Sequence, residues 1–370
     1  MSIKDSNHIQ NKRAHNFNAG PGILPEVVLQ QAAEAVLNFN NSGISILEYG
    51  HRTPVFTELM HEARSLVKHL LGLDEAYEVL FLHGGASTQF MQIPMNLLDD
   101  KATAAYADTG IWSAKAIEEA KIFGSVDIAC ASREAGYNFI PKDFALPNDA
   151  VYFHITTNNT VYGTQWQKIP RCSIPLVADM SSDIFSRELD FNAFDLIYAG
   201  AQKNMGPAGV TLVAIHPRIL GKVKRRIPTM MDYRNHIKEK SMLNTPPVFA
   251  IYTTLLNLRW IREQGGIREM QVRNKEKAEL LYKEIDRNPI FRGTVLPEDR
   301  SKTNVCFVMQ DPSQEKVFSE YTAALGITGI KGHRSVGGFR ASLYNALPLQ
   351  SVQALVQAMQ DFEDYKNNNQ

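Results

Sequence analysis

The sequence predicts an α/β fold: a mainly parallel sheet, followed by a smaller α+β unit. Three observations carry this. Short apolar runs alternate with helix-like segments over most of the chain, as parallel strands buried on both faces do. The unusual residues cluster just after those runs, where open α/β sheets bind ligands. Beyond residue 263 the alternation gives way to charged helices around an apolar strand. At 370 residues the chain exceeds one ordinary core, and it divides into a tail (1–14), a large unit (15–263) and a small C-terminal unit (264–370).

Residues 25–39 have helical periodicity, with proline in the first turn. Pro54–Leu71 is a second amphipathic helix, stopped by Gly72. Glu78–Leu82 reads as a strand, followed by His83-Gly-Gly-Ala-Ser-Thr88 and a helix from Gln89. Segments 103–107, 150–155, 175–178, 195–199 and 209–215 repeat the strand theme. A long helix over 247–264 closes at Gly265-Gly266. Helices over 267–286, 313–325 and 349–365, with the strand Asn304–Met309, complete the chain.

Composition narrows the function classes. Hydrophobic residues at 44% and charged residues at 21% are those of a soluble globular protein. Lysine plus arginine equals aspartate plus glutamate, 39 each, so no global field recruits nucleic acid or an acidic membrane. The dense basic run, residues 222–226, is expected to be a solvated helix face. Cysteines 130, 172 and 306 have no CxxC spacing, so reduced thiols in a cytoplasmic protein are expected. The first residues form no signal-peptide core, and no run of 18 apolar residues could span a membrane.

Lys203 lies just past an apolar strand, among the glycines and alanines of Ala199-Gly-Ala-Gln-Lys-Asn204. A solvated surface charge would not need such neighbours; an amine awaiting a small carbonyl compound would. Asp179 ends another apolar strand 24 residues earlier. A strand-end aspartate can be a plain helix cap, and a loop lysine can be inert. Together they suggest pyridoxal phosphate (PLP), which needs a Schiff-base lysine and a carboxylate at its pyridine nitrogen. Gly84-Gly85-Ala86-Ser87 stands where a helix start could hold a phosphate, or where a glycine turn simply folds. Neither GxGxxG nor GxxxxGK[ST] is present, which argues against a dinucleotide fold and a P-loop. Trp112 could be core or a flat partner for an aromatic cofactor. His51-Arg52, Gly332-His333-Arg334 and Gly338-Phe-Arg340 offer cations among glycines, either surface charge or a site for a polyanionic substrate.

The chain resembles the phosphoserine aminotransferases of the class V PLP-dependent aminotransferase family. The resemblance rests on Asn16-Phe-Asn-Ala-Gly-Pro21, Glu48-Tyr-Gly-His-Arg52, His83-Gly-Gly-Ala-Ser87, Ala178-Asp-Met-Ser-Ser182, Tyr198-Ala-Gly-Ala-Gln-Lys-Asn204, Asn244-Thr-Pro-Pro247 and Lys331-Gly-His-Arg334 through Ala346. It runs in order from about residue 15 to 365. It implies the aspartate-aminotransferase-like fold type I, with a seven-stranded sheet, and a homodimer with shared active sites. By motif position, Lys203 would carry the Schiff base and Asp179 would pair with the pyridine nitrogen. Trp112 would stack on the ring, with Thr160 beside it. Gly85, Ala86, Ser87 and Gln202 would hold the cofactor phosphate, reached by Asn244 and Thr245 of the neighbouring subunit. Arg340 would take the α-carboxylate; His51, Arg52, His333 and Arg334 would face the substrate phosphate. No metal is implied. Asn159 stands where many relatives have Glu, and Ser87 where some have Arg.

The implied reaction moves an amino group between O-phospho-L-serine and 2-oxoglutarate, giving 3-phosphohydroxypyruvate and L-glutamate, in serine biosynthesis. Some bacterial members also use 4-phosphohydroxy-L-threonine, in pyridoxine biosynthesis. A cysteine desulfurase would need a mobile nucleophilic cysteine, whereas Cys306 sits inside an apolar strand. Serine–glyoxylate or alanine–glyoxylate aminotransferases would have less use for so many substrate-side cations. A non-enzymatic anion-binding protein would not need Lys203.

Overall fold

The computed structural model describes residues 13–368. The expected tail, 1–14, falls outside them except for its last two residues. Strand β1 (His15–Asn16) leads into helices α1 (Glu26–Asn38) and α2 (Pro54–Leu71). Then come β2 (Glu78–Leu82), α3 (Gly85–Leu97), β3 (Thr103–Asp108), α4 (Ile111–Ala120) and β4 (Ser125–Ala131). Strands β5 (Ala150–Thr156), β6 (Leu176–Asp179), β7 (Leu196–Gly200) and β8 (Thr211–Ile215) follow. Helices α5 (Tyr233–Lys238), α6 (Val248–Glu263) and α7 (Gly266–Arg287) lead to β9 (Phe291–Gly293) and β10 (Asn304–Met309). Helix α8 (Glu315–Ala324), β11 (Ile327–Thr328), β12 (Phe339–Ser342) and α9 (Leu349–Asn368) end the fold.

The ends of α2 show how local sequence sets an element. Thr53 accepts from Phe56 N–H, Pro54 occupies the first turn, and Gly72 closes the helix at φ 59°. The large sheet has the order β2-β8-β7-β6-β5-β3-β4. β8 runs antiparallel to both β2 and β7, and the other pairs are parallel, so the sheet is mainly parallel as expected. It follows that β2, β3, β5, β6 and β7 all point their carboxyl ends to one edge.

Both faces are covered. One carries a core with α1, α2 and α6, including Phe56, Ile197 and Leu255; the other carries Phe90, Tyr106, Tyr152 and Tyr198 beneath α3 and α4. A third cluster joins Leu281, Phe307, Phe318 and Met359 around the antiparallel sheet β12-β10-β9. Phe17 and Ile23 belong to that third cluster, and β1 pairs with β11, so the segment that sequence counted with the large unit also packs on the smaller one.

Three local expectations need correcting. Helix α3 starts at Gly85 rather than Gln89, because Gly84 (φ 90°) turns the chain directly into it. β4 had gone unrecognised: it is an edge strand, largely exposed despite its apolar residues, and follows α4 after only a short turn. Residues 222–226 are a strap rather than a helix face. Arg225 donates to Leu98 O and Phe123 O and pairs with Asp100.

One buried amine ties α7 to the turn after β12. The Lys277 amine donates to Leu343 O, Tyr344 O and Leu347 O at 2.8–3.1 Å, which uses all three of its protons. Lys277→Met would leave three carbonyls unpaired, and is expected to lower the unfolding free energy by about 3 kcal/mol. The midpoint of urea unfolding, read with an unchanged slope, measures this.

Candidate active site

The carboxyl edge of the large sheet gathers the chemistry. Asp179 is the last residue of β6 and is buried, with Oδ1 accepting from Ser181 N–H at 2.9 Å. The neighbouring strand β7 runs straight into Gln202-Lys203. The Lys203 amine donates to Thr160 Oγ1 at 2.8 Å, on the loop after β5. Burial and the nearby Arg340 push the Lys203 pKa down to about 8, against the opposing pull of Asp179. Burial likewise raises Asp179, and the Lys203 charge holds it down.

The loop that bears Lys203 is pinned from several sides. Asn204 Oδ1 accepts from Asn345 N–H, its Nδ2 donates to Ser182 O, and Asn257 donates to the carbonyls of Asn204 and Met205. The segment 19–22 crosses directly above: Gly22 N–H donates to Gln202 O at 2.7 Å, and Tyr344 Oη donates to Ala19 O. A Cβ on Gly22 would come within 2.7 Å of the Tyr344 ring, so this close crossing requires glycine.

Around this centre lie the other expected residues. The first-turn N–H groups of α3, at Gly85, Ala86 and Ser87, lack intrahelical partners, and Gly84 supplies no side-chain cap. A Cβ at Gly85 would meet nothing within 4 Å, so space lies open beside that turn. Trp112 begins α4 with its indole Nε1 buried and unpartnered. Asn159 donates to Thr109 Oγ1 and Thr164 Oγ1, bracing the loop that leads to Trp112. Arg340, on β12, reaches Thr160 O through Nη1 at 3.4 Å, while its Nε is buried without a partner. His333 is half-buried among cations; desolvation first, then Arg340, Arg334 and Lys115, lowers its pKa.

Two pairs stand differently. Among the described residues, no hydrogen bond or ion pair joins His51 or Arg52 to the Lys203 cluster, and His51 Nε2 is buried without a partner. Asn244 and Thr245 pack beside His83 of their own chain, at 3.5 and 3.3 Å from its Nε2. Lys115 had been overlooked. It stands over Trp112, 4.9 Å from the ring centre, one helical turn along α4, and that i,i+3 spacing was its only signal in the sequence. Cys306 reads as core, as expected: Sγ lies 3.5 Å from Val161 O, and burial pushes the thiol up to about 12, far from a nucleophile. No group of metal-ligating side chains is found among the described residues.

The residues present fit PLP: an amine of lowered pKa for its aldehyde, a buried carboxylate for its pyridine nitrogen, free helix-start N–H groups for its phosphate, and an indole at hand for its ring. Sheet, site and charge pattern together define a PLP-dependent aminotransferase of fold type I. The chain belongs to the class-V aminotransferase family, whose model matches residues 14–355. The phosphoserine aminotransferase of Flavobacterium johnsoniae is 56% identical over 352 residues, covering 95% of this chain and 99% of that protein. The solved phosphoserine aminotransferase of Bacillus circulans subsp. alkalophilus superimposes with a TM-score of 0.93 at 44% identity, covering 96% of this chain and 99% of that one. The PLP-bound phosphoserine aminotransferase of Trichomonas vaginalis gives 0.90 at 39% identity, covering 94% and 100%.

Because Arg340 depresses the Lys203 pKa and Asp179 raises it, their removal should move Lys203 in opposite directions. Uptake of PLP by the cofactor-free protein should rise with pH around 8. Arg340→Gln should shift that rise to higher pH and Asp179→Asn to lower pH. Stopped-flow absorbance across a pH series tests both signs.

Proposed function

We propose that this enzyme transfers the amino group of O-phospho-L-serine to 2-oxoglutarate, reversibly, yielding 3-phosphohydroxypyruvate and L-glutamate. One observation carries the substrate assignment. Arg340 acts on both Lys203 and His333, and Arg334 and Lys115 act on His333 as well, a gathering of basic side chains suited to a substrate charged at both ends. The family and the relatives named above support the reaction.

PLP, when bound, supplies an aldehyde that condenses with primary amines and an electron-poor ring that stabilises charge at the substrate α-carbon. The side chains do the rest. The α3 start, with Gln202, would hold the cofactor phosphate, and Asp179 would pair with the pyridine nitrogen. Trp112 would lie against the ring, and Thr160, which accepts from the Lys203 amine, would stand beside it. Arg340 binds the α-carboxylate through its fork and so turns the Cα–H toward Lys203 Nζ. With its pKa lowered to about 8, Lys203 has a far larger neutral fraction than an ordinary lysine, so Nζ can take that proton and return it on the other side of the transfer. The distal cations hold a phosphate in one half of the cycle and a γ-carboxylate in the other. His333, kept neutral by its neighbours, can gain a proton when the dianionic group enters.

The proposal includes a homodimer with shared sites. His51 and Arg52 would then join the distal anion site, and Asn244 and Thr245 the cofactor phosphate, across the subunit boundary. Exposed Leu37, Ile44, Leu47 and Val55 near the His51 loop supply the apolar surface an interface needs. It also includes the two-unit division 15–263 and 264–370, with residues 15–23 packed on the smaller unit, and a cytoplasmic setting for three free cysteines. No helix among the described residues is long and apolar enough to cross a membrane.

Lys203→Ala should abolish turnover and the visible absorbance of the bound cofactor while the protein still melts cooperatively; normal transamination by this variant would refute the assignment. Arg340→Ala should weaken phosphoserine and glutamate alike, whereas Arg52→Ala should raise KM for phosphoserine more than for alanine. A coupled assay over a panel of phosphorylated and plain amino acids separates these. Calorimetry in buffers of different ionisation enthalpy should show proton uptake on phosphoserine binding, reduced in His333→Gln.

A further inference from the structure

Asp179 and Tyr198 are register partners on the parallel strands β6 and β7, so their side chains rise from the same face of the sheet. His154 on β5 pairs with Val177, two residues before Asp179, and therefore shares that face. The three are 4%, 0% and 2% exposed, respectively. His154 Nε2 lies 2.9 Å from Tyr198 Oη. The imidazole stacks on Tyr106, with centroids 4.8 Å apart and planes 24° from parallel, and Tyr106 Oη is bonded to Tyr152 Oη at 2.7 Å. The mechanism above makes no use of His154 or Tyr198.

Its protons can be assigned from chemistry. Burial keeps His154 neutral, so one ring nitrogen carries hydrogen. Nδ1 has no hydrogen-bond partner among the described residues, and a buried N–H without an acceptor is costlier than a bare lone pair. The hydrogen therefore belongs on Nε2, where Tyr198 Oη accepts it. The Tyr198 hydroxyl must then point its own proton elsewhere, and Asp179, its register partner on β6, is the buried carboxylate on the same face. Lys203, Ser181 and Asp183 act on Asp179 from its other sides.

We propose that His154 and Tyr198 form a buried donor chain, Nε2–H to Oη–H to carboxylate, that keeps Asp179 ionised and aimed at the pyridine nitrogen of the cofactor. Both are positioning residues, and the proposal rests on Asp179 facing that nitrogen.

The test compares two ligands on the full-length, cofactor-free protein by calorimetry. One is pyridoxamine 5′-phosphate; the other is its 1-deaza analogue, with C–H in place of the ring nitrogen. The affinity ratio between them reads the Asp179 contact alone. Tyr198→Phe keeps the ring and removes the hydroxyl, and should cut that ratio roughly tenfold, as loss of one hydrogen bond to a charged group does, with deaza affinity unchanged. His154→Leu should also lower the ratio, and His154→Gln, whose amide can still donate to Tyr198, should restore most of it. The variants are read independently, so one that fails to fold leaves the other deciding. Equal loss for both ligands, or an unchanged ratio in Tyr198→Phe and His154→Leu, overturns the chain. If the wild type itself does not distinguish the ligands, the Asp179 assignment falls and takes the proposal with it.

Discussion

A lysine amine and an aspartate carboxylate, both taken out of water at neighbouring strand ends, set the terms for the rest of the molecule. Each is costly to bury alone, and each moderates the cost of the other. Their balance leaves the amine with a pKa near 8, where it can be a nucleophile and a base in turn. Such a balance tolerates little movement, because Coulomb energies in a dry site change steeply with distance.

The fold is organised to deny that movement. Parallel strands sandwiched between helix layers fix where β6 and β7 end, and therefore where residues 179 and 203 stand. Asparagines 204, 257 and 345 lock the lysine loop to α6 and to the turn after β12. Lys277 holds that turn with three hydrogen bonds, and β12 carries Arg340 to the site. That C-terminal segment is thus more than an appendage: it brings Arg340, whose charge helps set the lysine's proton affinity.

Much of this was legible in the chain. Apolar strands with small or charged residues at their ends give strong signals, since burial on both faces demands unbroken hydrophobicity. The lysine, the aspartate and the glycine turn all stand at or just past the ends of such strands. Edge strand β4 was missed because half-exposed sequence reads like a loop. The basic strap was misread because charge runs report composition, whereas Arg225 is spent on carbonyls from residues over a hundred positions away. Lys115 and His154 carry little local signal of their own, since their neighbours come from other parts of the chain or lie a helical turn away.

The sequence by itself determined most of the strand and helix segments and the family resemblance, because these depend on local periodicity and on strings of adjacent residues. Only the tertiary structure decided which cations converge on Lys203, which way its proton affinity moves, and that a histidine and a tyrosine from separate strands lie behind Asp179. Those properties arise from desolvation and from contacts between residues distant in the chain, and neither is written in any single segment.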